Sequence, residues 1–475
     1  MTVPLPPADR LPDGFAVRLD PGTRRRDGGT ALLGGSPQRL MRLAPAARPL
    51  LTGDRLVVTD ARTAALAARL LDAGLAHPDL PPAAPADVTV VIPVKDRTAG
   101  LARLLAALRA DPGTAGCPVV VVDDGSAEPS AVAEVAHACG AGLVRYDSAR
   151  GPAAARNAGL RRVRTAAVAF VDSDCVPVPG WLDRLSGHLA DPRLAVVAPR
   201  ITALAAGAPG WVGRYEQVAS ALDMGAQPAA VAPRSAVSYL PSAALLARRS
   251  ALGDGFDDGM PVAEDVDLVW RLVAAGWRVR YEPAAEVAHD HRTRPGEWLC
   301  RRAFYGTGAA RLAQRHGAAV APIVISSWSA VAWGLVLAPS RLGPPAAAAV
   351  LAGATARLAR RLTPAGGRPP AGLAAGLVLR GTAASGRTLA RAATRHHWPL
   401  TLALALVSRR ARRLTAAVAV ADAALAWWPR RRAIGPVSFT AGRRLEDLGY
   451  GAGLWWGALR ARDVRALLPA GPGKV

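Results

Sequence analysis

Lysine is almost missing from this chain: of 59 basic residues, only Lys95 and Lys474 are lysines. Arginine and alanine take up the composition instead, as in a GC-rich coding sequence, so a single arginine says little about function here. Cysteine is scarce too. Cys117, Cys139, Cys175 and Cys300 are scattered with no C-x-x-C pair. That argues against a disulfide framework or a cysteine zinc site and suits reduced thiols in a cytoplasmic setting. The first twenty residues carry Asp9, Arg10, Asp13, Arg18 and Asp20 without an apolar run, so no secretory signal is expected. No long polar low-complexity tract is present, which excludes global disorder. Acids are rare in the last third: residues 301–475 hold 26 basic and four acidic residues, a net of +22 out of +23. The same stretch is rich in Ala, Leu, Val and paired Trp and has no nucleic-acid motif. Its expected partner is an anionic membrane surface rather than nucleic acid.

A chain of 475 residues is long enough for two to four domains. Residues 1–80 read as a small unit. Phe15–Leu19 and Thr30–Leu33 have strand character, 38–51 reads as a helix, and Asp60 is suited to cap a helix over 61–74. Strands followed by two helices predict a winged-helix-like module. Proline-rich residues 81–86 read as a linker. Residues 87–305 alternate apolar strands and helices, the pattern of a parallel sheet covered on both faces, whose ligands bind beyond the carboxyl ends of the strands. Residues 306–475 read as a basic, hydrophobic helical region. Within it, residues 317–340 carry no charge and reach the length of a possible transmembrane helix.

Five constellations fall in order within the α/β part. Val91-Ile-Pro93-Val-Lys-Asp96-Arg97 ends a strand in polar residues. Asp123-Asp124-Gly125-Ser126 follows the next strand. Its acids suit a base N–H or ribose hydroxyl, or equally a turn or helix cap. Arg150-Gly-Pro, leading to Arg156-Asn157, opens a helix whose positive end suits a diphosphate; a salt bridge is the alternative for Arg156. The apolar run Val168–Val171 ends in Asp172-Ser-Asp174. Residues i and i+2 of a strand share a face, so these two carboxylates invite a hard cation that also holds phosphate oxygens. The last constellation, Glu264-Asp265-Val-Asp267, opens a helix. It is either plain capping or a source of a general base. Downstream, His289-Asp-His291 offers an imidazole for a metal or diphosphate.

Taken together, these motifs resemble the family 2 nucleotide-sugar glycosyltransferases with a GT-A (Rossmann-like) fold. The resemblance implies that Pro93, Asp96, Asp123 and Asp124 border the nucleoside of the donor, with Arg150, Arg156 and Asn157 nearby. It implies that Asp172 and Asp174 hold ribose, diphosphate and a divalent cation, Mg or Mn, with Asp174 the direct ligand and His289 completing the metal site. Asp265 would be the catalytic base, with Glu264 beside it. The Gln-x-x-Arg-Trp motif of processive members is absent. Trp298, Arg301 and Arg302 occupy that neighbourhood and, with His291, are expected at an acceptor or diphosphate loop.

The N-terminal segments Leu11–Phe15, Arg18–Pro21 and Leu33–Pro37 extend the resemblance to the mycofactocin-biosynthesis glycosyltransferases of actinobacteria. That implies UDP-glucose as donor, a peptide-derived acceptor, and a peptide or protein partner at residues 1–80. It places the chain at the cytoplasmic face of the cell membrane, with one pass if 317–340 spans. Two other readings compete: a related transferase acting on a polyprenyl-lipid or cell-wall glycan, and a non-catalytic membrane scaffold.

Overall fold

The computed structural model describes residues 2–204, 210–363, 367–471 and 473. They form two compact units, Met1–Arg292 and Thr293–Val475.

The first unit opens with strands β1 (Ala16–Leu19), β2 (Arg24–Arg26), β3 (Ala31–Gly34), β4 (Arg39–Arg42) and β5 (Arg55–Val57), then helix α1 (Ala61–Asp72) and strand β6 (Ala76–Pro78). Two three-stranded sheets result, β5-β1-β6 and β2-β3-β4. Asp60 caps α1 as expected, accepting from the Thr63 amide while the Thr63 hydroxyl receives the Asp60 amide. The expected helix over 38–51 does not form. Leu40 and Met41 pair with Leu33 and Leu32 across the ladder, and the chain then makes only a short 3₁₀ turn at Pro45–Ala47. With one helix instead of two after the strands, the winged-helix expectation is corrected to two small sheets packed with α1. Strand pairing outweighs helix propensity here because it buries Leu32 fully.

The rest of the unit contains β7 (Val88–Val94), α2 (Thr98–Ala110), α3 (Pro112–Ala115), β8 (Val119–Asp124), α4 (Pro129–Ala138), β9 (Gly142–Tyr146), α5 (Pro152–Arg162), β10 (Ala167–Val171), β11 (Cys175–Pro177) and α6 (Trp181–Ser186). There follow β12 (Leu194–Ala203), α7 (Trp211–Ala219), β13 (Ala229–Ala230), β14 (Ala244–Arg248), α8 (Glu264–Ala274) and β15 (Arg278–His289). The sheet runs β11-β15-β12-β14-β10-β7-β8-β9, with β13 added on β15. It is mixed, not all-parallel as expected: β14 lies antiparallel between β10 and β12, and β11 and β13 run antiparallel to β15. Continuous apolar runs signal burial on both faces, and they do not by themselves encode strand direction. Full burial of Ile92 and Phe170 contributes about 1.5–3 kcal/mol each. Gly159 lets α5 lie close on the sheet, since a Cβ there would come within 2.2 Å of the Val91 side chain.

The second unit is helical among its described residues: α9 (Pro295–His316), α10 (Ser327–Leu337), α11 (Gly343–Leu362), α12 (Ala371–Arg391), α13 (Trp398–Val407), α14 (Arg409–Trp427) and α15 (Pro436–Ala461). The uncharged stretch 317–340 is not one helix. Gly317 ends α9 at φ +53°, and Ser326 caps a new helix of 11 residues. At 1.5 Å per residue that helix covers about 16 Å, half of a bilayer core. No helix among the described residues is long and apolar enough to cross a membrane. The expected span is thereby corrected: Pro322 and the Ser326 cap divide the run.

Candidate active site

The site is assembled by five chain segments that the sheet brings to one place. Strand β10 is buried at every residue and delivers Asp172-Ser-Asp174 at its carboxyl end. The Cys175 amide bonds back to the Asp172 carbonyl, so the chain turns at once into β11. There Cys175 pairs with His289 of β15. That register sets His289 Nε2 3.4 Å from Asp174 Oδ1.

Helix α5 supplies the central cation. Arg156 is 3% exposed, donates to Asp172 Oδ1 at 2.6 Å and to Glu264 Oε1 at 3.0 Å, and lies over the Phe256 ring. Phe256 in turn packs edge-on against Phe170, two residues before Asp172. Burial works against the Arg156 charge, but Asp172 and Glu264 more than offset it, and its pKa is raised.

A second link joins the same groups through the main chain. The Ser242 amide donates to Asp265 Oδ2, and the neighbouring Ala243 carbonyl accepts from the Asp172 amide. Asp172 and Asp265 are therefore anchored to adjacent residues. Burial, together with the Asp174 charge, raises Asp172 against the pull of Arg156.

The three acids that open α8 are told apart by their partners. Asp267 is fully buried and bonded to Arg271 one turn on, a structural pair. Glu264 is bound to Arg156. Asp265 receives only backbone amides, those of Ser242 and Val266. Burial first and the Glu264 charge second push Asp265 up to about 7.

Several residues expected to line the donor site are engaged in building it. Asp123 accepts from the Ser126 amide and from Arg145. Asp124 accepts from the Arg150 and Gly151 amides, which fixes the entry to α5. Gly125 makes the intervening turn at φ +74°, where a Cβ would meet Ala149 N at 2.7 Å. Asn157 is bound at both ends of its amide by Phe256 and also donates to Asp258, and so pins the loop before α8. Asp96 is exposed and receives the Ala127 amide. Pro93 is half-buried in β7, and the exposed Arg150 stacks on Tyr146. His291 Nδ1 is 3.0 Å from His289 Nδ1 and 3.8 Å from the buried Glu216. Trp298, Arg301 and Arg302 stand on α9 of the second unit, where Arg302 lies over Trp298 and 3.9 Å from Glu446.

Among the described residues, no group of three or more His, Cys, Asp or Glu is arranged to hold a metal ion. The expected Asp172–Asp174–His289 set is not gathered as ligands, because Arg156 takes Asp172 and Arg97 lies 3.3 Å from Asp174. Asp174 Oδ1 is nonetheless buried without a hydrogen-bond partner. Arg97, Ser242 and Glu216 were missed by sequence reasoning. Arg97 ends the same strand-end motif as Asp96 and was findable; Ser242 and Glu216 sit in no motif. A cavity of about 420 Å³ lies away from this cleft, between Pro6–Leu11, α1, Arg193 and Arg278.

A mixed sheet with paired carboxylates at a strand end, joined through a buried arginine to the acid-rich start of a helix, is the arrangement of a GT-A glycosyltransferase. The family model described as glycosyl transferase family 2 matches residues 89–249. The chain belongs to this family, and it is an enzyme, a glycosyltransferase. It is 48% identical over 474 residues to the pre-mycofactocin glycosyltransferase of Mycobacterium tuberculosis, covering 97% of this chain and 99% of that one. It is also 32% identical over 213 residues to the succinoglycan biosynthesis protein ExoU of Rhizobium meliloti, 42% of this chain and 60% of that one. Among solved structures, a mannosyltransferase of Pyrobaculum calidifontis in complex with GDP-mannose and Mn²⁺ aligns at 22% identity with a TM-score of 0.39, covering 74% of this chain and 90% of that one.

Proposed function

We propose that this glycosyltransferase moves glucose from UDP-glucose to a hydroxyl of a peptide-derived, pre-mycofactocin-type acceptor, with inversion, to give a β-glucoside or a short oligoglucoside. The whole-length relative's name supports the acceptor class. The observation that carries the chemistry is the Arg156 bridge, which joins Asp172 to Glu264 and so ties the 172/174 carboxylates to Asp265.

In this reading Asp265 takes the proton of the acceptor hydroxyl as its oxygen attacks the anomeric carbon. The bond from that carbon to the diphosphate breaks, and its electron pair leaves with UDP. One displacement by one base inverts the centre, so an α-linked donor gives a β-linked product. A carboxylate raised to about 7 is well matched to this task. Asp174 Oδ1, buried without a hydrogen-bond partner and 3.4 Å from His289 Nε2, fits an oxygen-preferring divalent cation, which Asp174 would hold with Asp172 and His289 as the nearest further donors. Such an ion, Mg or Mn, supplies charge neutralisation for the leaving diphosphate. Arg156 and Arg97 hold the two aspartates in position.

Two results are expected. Asp174→Ala lowers divalent-dependent UDP-glucose affinity at least about tenfold, read by calorimetry with and without chelator; equal affinity in both conditions removes Asp174 from the metal site. The acid limb of kcat/KM has its midpoint at about 7, with activity falling about tenfold per pH unit below it as Asp265 gains a proton. Glu264→Gln moves that limb to lower pH, because the Glu264 charge is part of what raises Asp265. A limb that stays in place assigns it to another group.

Mass spectrometry of products from UDP-glucose with peptide-derived and polyprenyl acceptors tests the acceptor. Turnover with polyprenyl acceptors alone favours the lipid or cell-wall glycan reading, which the exposed apolar helices of the second unit support. The reading also includes an anionic membrane surface as partner, at the cytoplasmic face. A peptide partner at residues 1–80 is further part of it, consistent with the exposed Arg24–Arg26 strand at a sheet edge.

A further inference from the structure

We infer that the second unit binds an anionic bilayer in the plane of the interface, through helix α13 and the arginine cluster that follows it. This deepens the membrane reading above and rests on it. Helix α13 has ten residues and none is buried. Leu404, Leu406 and Val407 are 60%, 72% and 84% exposed. Leaving such side chains in water forfeits about 1.5–3 kcal/mol each, and the fold leaves this face of the helix uncovered while Trp398, Pro399, Thr401 and Ala405 are half-buried.

Ser408 caps the next helix, and the chain continues at once with Arg409, Arg410, Arg412 and Arg413. Two of these mark the edge of the apolar patch. Arg412 donates to the Ala405 carbonyl of α13, and Arg410 donates to the Leu337 carbonyl at the end of α10. There Val336 and Leu337 are themselves about half exposed. The result is an apolar surface from two helix ends, bordered by Arg410 and Arg412, with the exposed Arg409 and Arg413 in the same run and no acid among them.

Charge complementarity selects the occupant. Arginines beside exposed leucines suit anionic headgroups above acyl chains. A second copy of the same chain would bring the four arginines against one another. A helix of ten residues spans about 15 Å and cannot cross the hydrocarbon core. Its contact is therefore with one leaflet only.

The test is flotation of the full chain with vesicles of phosphatidylcholine alone and of phosphatidylcholine with 30 mol% phosphatidylglycerol. The expected result is binding to the anionic vesicles only, reversed by high salt and released by alkaline carbonate. Leu402→Glu/Leu406→Glu abolishes flotation. Arg409→Gln/Arg410→Gln/Arg412→Gln/Arg413→Gln weakens it on the order of a hundredfold or more, given the attraction of each arginine to an anionic surface. Because the leucines and the arginines are exposed, both variants remain folded, with melting temperatures within a few degrees of wild type, the arginine variant losing only the surface bonds of Arg410 and Arg412. Equal binding to neutral vesicles, carbonate-resistant insertion, or a dimer in sedimentation that the leucine variant dissolves each overturns the inference. Flotation that survives both variants refutes this surface while keeping the membrane reading; no flotation of the wild type refutes both.

Discussion

Asp265→Asn is expected to reduce transfer by about 10²–10⁴-fold, the range for loss of a positioned general base, with UDP-glucose affinity little changed. Burial and the Glu264 charge already push the wild-type carboxyl up to about 7, so the site favours the neutral form more than an ordinary carboxylate site does. A neutral amide matches that protonated form in charge and size. The amide oxygen still accepts one backbone N–H, from Ser242 or Val266, and the other loses its acceptor to the new NH₂. Single-turnover measurements at saturating donor read the chemical step, and calorimetry reads donor binding. Turnover within about threefold of wild type passes the role of base to another group. Asp267 is excluded from that role by its full burial and its Arg271 partner. Glu264, bound to Arg156, is the next candidate.

Arg156→Ala is expected to be the most destabilising single change in the site. It leaves Asp172 and Glu264 facing one another without the cation between them. Breaking a buried ion pair typically costs about 3–5 kcal/mol. Asp172 is 29% exposed and turns partly to water, so the lower end of that range applies. Adding Glu264→Gln to Arg156→Ala is expected to recover part of the loss, because one of the stranded charges is gone. Urea unfolding of the two variants measures both effects. A single variant of native stability means that Arg156 does not tie these acids together, and the common site loses its main support.

The sequence made the strands and their ends legible. Val88–Val94, Gly142–Tyr146 and Ala167–Val171 form where apolar β-branched runs are bounded by polar turns. Asp172-Ser-Asp174 ends β10 as its spacing suggested. The Asp60 cap is local chemistry and was equally legible. Residues 38–51 misled because Leu40 and Met41 fit a helix and a strand alike; the choice was made by Leu32 and Leu33 on a neighbouring strand. The 317–340 run misled because length and lack of charge say nothing of where a serine cap interrupts the helix.

By itself, the sequence determined which residues carry charge at strand ends and helix starts, since those positions follow from local propensity and turn chemistry. Tertiary structure alone decided what each charge does. Asp123, Asp124 and Asn157 look like ligands in the sequence and serve as fasteners of turns and loops in the fold. Asp265 and Glu264 are told apart by partners far away along the chain, Ser242 and Arg156, while Asp267 is set aside by Arg271 one turn on. Electrostatic character depends on distance and burial, and both are set by packing between segments that share no sequence neighbourhood.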